Sequence, residues 1–205
     1  MKSTKIVNLN QSKIIKLLRN NTSVFAFFLL FVSSLLLGCV LFSKATGLSA
    51  WLFNNFFESR KSGSFLSYFI ASFGISFLFL FAEYIFGTSL VGIAFVPSLI
   101  LFKGLLTGVF LCKLYSVLGF QAITFNIIIF IPGTCISVLC LITGASKALF
   151  LSYNLGRLLF SSTGVALGRV KTKKYLILFL ILVALTVLSA LIEALLSKAF
   201  FHYFL

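Results

Sequence analysis

The whole acidic inventory of this chain is Glu58, Glu83 and Glu193; there is no Asp, and the single histidine, His202, lies at the C-terminal end. Those residue types restrict the chemistry. A metalloprotease needs clustered histidines with a carboxylate. An intramembrane aspartyl protease needs two Asp, and a Ser–His dyad needs a His within the apolar part of the chain. A glutamate-dependent membrane protease would want paired acids plus a His. None of these sets can be assembled, so the expectation is a protein that is not an enzyme and uses no metal or cofactor. Cys39, Cys112, Cys135 and Cys140 lie inside apolar runs without zinc-type spacing or a nearby His, and read as small packing residues.

Two charges fall where charge is expensive. Glu83 lies near the end of one apolar run and Lys103 sits within the next. An ionisable side chain at membrane depth normally faces the bundle interior or water. Pairing Glu83 with Lys103 would lower the desolvation cost of both, which makes them a candidate intramembrane polar pair. The alternative is two long side chains snorkelling to opposite interfaces. Glu193, followed by Lys198, and Trp51, in a mixed polar and aromatic stretch, are candidate contacts on the outer side. Glu58 lies beside Arg60 and Lys61 and reads as a solvated loop residue.

The elements that carry these residues must be apolar helices. Of 205 residues 60% are hydrophobic and 10% charged, whereas a soluble domain is roughly a quarter charged. No water-facing surface can be built from that composition. The expected fold class is all-α, a polytopic transmembrane helix bundle of about five spans, with six as the alternative. The spans fall roughly at 24–43, 67–86, 95–118, 120–143 and 175–196, in one transmembrane domain, 24–205, behind a basic segment, 1–23. Each run reaches or exceeds the roughly 20 residues that cross the hydrocarbon core. Residues 12–19 fit either a short amphipathic surface helix or a plain basic flank. Residues 44–66 read as a loop with a short interfacial helix, and 144–174 as a basic loop with another near Leu149–Phe160. The region 88–118 is too long for one upright helix and holds Pro97. It is either broken, with a re-entrant first part, or one long tilted helix.

The net charge is +14. The basic residues flank apolar runs and form no stripe on a polar domain, so the partner they suit is anionic lipid headgroups and not nucleic acid. With the N-terminus inside and five spans, about eleven basic residues fall on inner segments and about five outside. The opposite placement reverses that bias. The expectation is a multi-pass cell-membrane protein with a cytoplasmic N-terminus and an outer C-terminus.

Glycines and prolines punctuate the middle of the chain. Gly104-Leu105-Leu106-Thr107-Gly108 has the spacing that lets helices pack at backbone distance, within one chain or in a homo-oligomer. It follows Phe86-Gly87-Thr88-Ser89-Leu90-Val91-Gly92, Pro97 and Lys103, and precedes Gly119 and Ile131-Pro132-Gly133. In that order these motifs resemble the stage II sporulation protein M family: a Gly-x-Ser-x-x-Gly turn, a Lys-Gly-x-x-x-Gly helix, a Gly-containing turn and a mid-helix Pro. Ser189-Ala190-Leu191-Ile192-Glu193-Ala194 in the last span is similar too. The resemblance covers most of the chain. It carries Gly92, Lys103, Gly104, Gly108, Pro132 and Glu193 onto motif positions. The family commonly has Gln-Asn after the mid-helix Pro; this chain has Gly133-Thr134.

The resemblance implies a noncatalytic scaffold in the mother-cell membrane at the septum. Such a scaffold anchors and localises cell-wall hydrolases resembling stage II sporulation proteins D and P during engulfment of the forespore. A reading from a different class is a permease-like transport subunit working with a cytoplasmic ATPase. Discontinuous helices and a Glu83–Lys103 pair would suit it, because such helices line substrate sites in many transporters.

Overall fold

An apolar segment in lipid must satisfy its backbone N–H and C=O groups internally, and a helix does so locally. The computed structural model describes residues 3–42, 47, 54, 64–160 and 172–200. Its helices are α1 (Ser3–Leu41), α2 (Phe65–Gly87), α3 (Gly92–Leu118), α4 (Gln121–Phe125), α5 (Ile131–Phe160) and α6 (Thr172–Phe200). A π-helical segment, Asn126–Phe130, joins α4 to α5. Five stretches are long and apolar enough to cross a membrane: Thr22–Leu41, Phe65–Gly87, Gly92–Leu118, Gln121–Gly156 and Lys174–Phe200. The expected all-α, five-span bundle is therefore what the chain forms. Trp51, Glu58, Arg60, Lys61, Arg169, Lys171 and His202 lie outside the described residues, as does the interfacial helix expected in 44–66.

Several boundaries differ from the sequence-based ones. The helix of α1 is unbroken from Ser3, so the basic N-terminal segment continues the first span instead of forming a separate surface helix. The third region is neither broken nor re-entrant. It is a short turn followed by one helix that runs through Pro97 to Leu118. Pro97 lies close to the start of α3, and Ser98 Oγ donates to the Ala94 carbonyl at 2.9 Å beside the site of the missing N–H. The fourth span also outruns its expected end. With no proline after Pro132, α5 continues to Phe160, so Leu149–Phe160 belongs to this helix and is not an interfacial helix in a loop.

The irregularity that does occur lies before Pro132. An α-turn would leave the Ile128 carbonyl facing a residue with no N–H. The π-helical turn Asn126–Phe130 lies directly before that proline, and the Ile131 N–H donates to the Asn126 carbonyl in the i→i+5 register. Thr134 Oγ1 donates to the Phe130 carbonyl at 2.7 Å, adding a side-chain bond at the same place.

Two turns set the topology. After Gly87, Thr88 Oγ1 donates to the Ile85 carbonyl at 2.8 Å, the Ser89 N–H to Phe86 at 3.0 Å and the Gly92 N–H to Ser89 at 3.3 Å. Between α3 and α4, Gly119 has φ 55°, which an L side chain rarely adopts, and its surroundings are open. Backbone conformation, not space, selects glycine there.

The most extensive helix contact joins α1 to α3, which run parallel, while α5 touches α1, α2, α3 and α6. The α1–α3 seam is built on small residues. A Cβ on Gly104 would meet Ser34 Oγ and the Phe31 carbonyl, one on Gly108 the Leu35 carbonyl and Cys39 N, and one on Gly38 the Leu105 carbonyl. Cys39 Sγ donates to the Gly108 carbonyl at 3.5 Å. The Gly-x-x-x-Gly spacing is thus occupied within the chain, opposite Ser34-x-x-x-Gly38. Phe31, Phe79, Ile100, Leu141 and Ile142 form the core between α1, α2, α3 and α5. On α2, Phe69, Phe73, Phe77 and Phe81 stack at one-turn intervals, with centroids 5.2–5.8 Å apart.

Gly108→Val should therefore lower the thermal midpoint of detergent-purified protein, by a loss of roughly 1–3 kcal/mol or more, because backbone atoms must move. Gly74→Ala, on α2 with nothing within 4 Å of the added carbon, should leave the midpoint unchanged or raise it. Equal losses in both would refute the seam.

Candidate functional site

Gly133 and Gly144 lie eleven residues apart on α5, about three helical turns, so they share one side of that helix. Each makes room for a glutamate from a neighbouring helix. A Cβ on Gly144 would stand 3.0 Å from Glu83 Oε2, and one on Gly133 would stand 2.9 Å from Glu193 Oε2. Two buried carboxyl groups are thus seated against one helix, at levels about 16 Å apart.

Glu83 lies about one turn before the end of α2 and is 2% exposed. Neither of its carboxyl oxygens has a hydrogen-bond partner. It borders a small pocket with Leu80, Tyr84, Gly144, Tyr175 and Leu182, with room for about one water molecule. Tyr84 fixes the wall from α2 by stacking on Tyr175 (5.3 Å) and Phe179 (4.3 Å) of α6. The absence of a side chain at Gly87 admits Tyr175, whose hydroxyl would lie 2.5 Å from a Cβ there.

Glu193 is 8% exposed. One turn earlier on α6, Ser189 Oγ donates to the Gly133 carbonyl at 2.6 Å. This places Glu193 against α5 inside the bundle, so it is not the outer contact that its position near the end of the last span suggested. The reason is local: Gly133 leaves a notch that a glutamate stem fills.

The Glu83–Lys103 pair is not formed. Lys103 is half-buried, with its ammonium 5.1 Å from the centroid of the Phe79 ring. Phe79 lies one turn before Glu83 on α2 and packs on α3, whereas the Glu83 carboxyl turns toward α5 and α6. The structure thus seats Lys103 on the Phe79 ring and Glu83 in a separate pocket. Gly92 serves the α3–α5 approach, where a Cβ would meet the Phe86 carbonyl and lie 3.0 Å from Ser152 Oγ.

Sequence reasoning missed Gly144, assigned to a loop, and Tyr175. The eleven-residue recurrence of Gly133 and Gly144 was a usable signal once the helix was known to continue. Nothing in the spacing of Tyr175 announces its contact with α2. Among the described residues, no three His, Cys, Asp or Glu side chains come together in a way that could hold a metal ion.

Five apolar spans packed in this way define a multi-pass, all-α membrane protein. Searches with family models, curated proteins and solved structures returned no match to the chain.

This separation makes a specific expectation. Lys103→Ala should lower stability in detergent by roughly 1–3 kcal/mol, less than a fully buried pair would lose because Lys103 is half-buried. Adding Glu83→Gln should recover none of that loss. Recovery by Glu83→Gln, read as the thermal midpoint of the double variant, would show that the ammonium and this carboxyl are paired.

Proposed function

We propose that this protein is a noncatalytic membrane scaffold that anchors and localises peptidoglycan-remodelling proteins, with the septal mother-cell membrane during engulfment as its setting. The observation that carries the scaffold part is the use made of polar side chains inside the bundle. Ser23 and Ser146 share a hydrogen bond between α1 and α5 (2.8 Å), and Ser152 Oγ donates to the Ser89 carbonyl (2.7 Å). Ser189 ties α6 to α5, and Cys39 ties α1 to α3. Interhelical hydrogen bonds and backbone-close glycine seams are what a rigid anchor requires. The setting and the hydrolase partners rest on the order of the glycine and proline motifs.

Orientation follows from charge. The α2–α3 turn shares one end of the bundle with Ser23, Lys147 and Lys174, and the basic N-terminal segment adjoins that end. The positive-inside bias supports placing this end in the cytoplasm and the C-terminus outside. In a chain whose native cysteines are replaced, a cysteine at Ser64 should react with a membrane-impermeant maleimide on intact cells, and one at Thr88 should not. The reverse pattern would invert the topology.

Affinity purification of the tagged protein from sporulating cells tests the function. The expected result is co-purification of wall hydrolases. A co-purifying ATPase without any hydrolase would replace the scaffold with the transport reading, which the unpartnered carboxyl of Glu83 favours.

A further inference from the structure

Gly104, Gly108 and Cys112 recur at four-residue intervals, so the cysteine continues the side of α3 that packs on α1. The facing residue on α1 is Cys39. Its backbone nitrogen would stand 3.1 Å from a Cβ at Gly108, and its Sγ donates to the Gly108 carbonyl at 3.5 Å. In the regular helix of α3 that same carbonyl accepts the N–H of Cys112. The Cα–Cβ bond of Cys112 tilts back toward the start of α3, which is the level of Gly108. The two thiols therefore meet across the seam, and their side chains interact directly.

The other two cysteines have no such placement. Cys135 and Cys140 are five residues apart on α5 and leave different sides of it, one exposed and one buried. Cys39 and Cys112 are both free and both half-buried, so neither is sealed in the core. Their depth also sets them apart. Cys39 lies two residues before the end of α1, about 3 Å along its axis, and Lys113 follows Cys112 directly. A lysine at that level carries its ammonium to the headgroup region. The pair sits toward the end of the bundle opposite the α2–α3 turn. With the N-terminus inside, this is the outer side, where thiols are not held reduced.

We propose that Cys39 and Cys112 are a disulfide-forming pair that bolts α1 to α3 toward the outer end of their seam. The oxidant is a disulfide compound outside the cell. One cysteine, as its thiolate, attacks a sulfur of that disulfide and releases the other sulfur as a thiol. The second cysteine then displaces the first sulfur from the mixed disulfide. One S–S bond forms and one breaks, and the two protons and two electrons lost by the pair end on two thiols of the oxidant. Separation of α1 from α3 then depends on the redox state outside. The proposal is independent of the scaffold reading and rests on the outward placement of this end.

Treatment of intact cells with oxidised glutathione, which does not cross the membrane, tests it. The full chain would then be quenched in acid, alkylated under denaturing conditions and digested without reductant for mass spectrometry. The expected result is a linked pair of peptides carrying Cys39 and Cys112 that is lost on reduction, with Cys135 and Cys140 alkylated. Cys39→Ser should abolish the linked pair and leave Cys112 joined to no other cysteine of the chain. If that variant fails to fold, the wild-type peptides still decide. Alkylation of both Cys39 and Cys112 in the wild type would overturn the proposal, as would a link from either to Cys135 or Cys140. Ser64→Cys in a chain without native cysteines separates the causes. Its labelling from outside would lay the failure on the pair itself, and its protection would lay it on the orientation.

Discussion

Water is absent from the hydrocarbon core of a bilayer, so a polar group placed there must find its partner inside the protein. Most of the internal arrangement follows from that constraint. Ser152, Ser189 and Cys39 each donate to a backbone carbonyl across a helix contact. Such bonds require the backbones to be close, and Gly38, Gly104, Gly108 and Gly133 remove the side chains that would hold them apart. Lipid offers no hydrophobic drive for one helix to prefer another, so dispersion at these close seams and the bonds across them carry the association. Helix α5 is the common wall because it meets four of the other helices and presents glycine toward both glutamates.

The charges are placed by the same rule with different partners. Lys103 rests on the face of Phe79, so its charge is met by a ring from another helix. Glu83 turns the other way, into a pocket walled by tyrosines. Phe79, one turn from Glu83, is what divides the two environments. A ring in that position gives the ammonium a partner on α2 while leaving the carboxyl free to face α5.

The number of spans and their helical nature were legible because apolar runs of membrane length admit few other solutions. The packing role of Gly104 and Gly108 was legible from spacing, though its partner was not, since Ser34 and Gly38 lie some seventy residues away and carry only a weak pattern. The Glu83–Lys103 pairing failed because sequence proximity says nothing about which side of a helix each group leaves. Of the two alternatives for the Pro97 region, the chain forms the single long helix and not the broken one, because a proline close to a helix start disturbs few bonds, whereas the π-helical turn lies directly before Pro132. Glu193 was read as a contact on the outer side because its notch at Gly133 exists only once α5 and α6 are packed.

The parallel seam between α1 and α3 also has a temporal side. Helix α1 finds its main partner in α3 and not in α2, the span made next. Roughly eighty residues separate the ends of α1 and α3, about 4–15 s of chain growth at ordinary rates. Through that interval the face bearing Ser34, Gly38 and Cys39 has no α3 to close it. The first helix must wait in lipid, or be held by the insertion machinery, with its most adhesive surface open. Assembly of the bundle is therefore timed by the emergence of its third span.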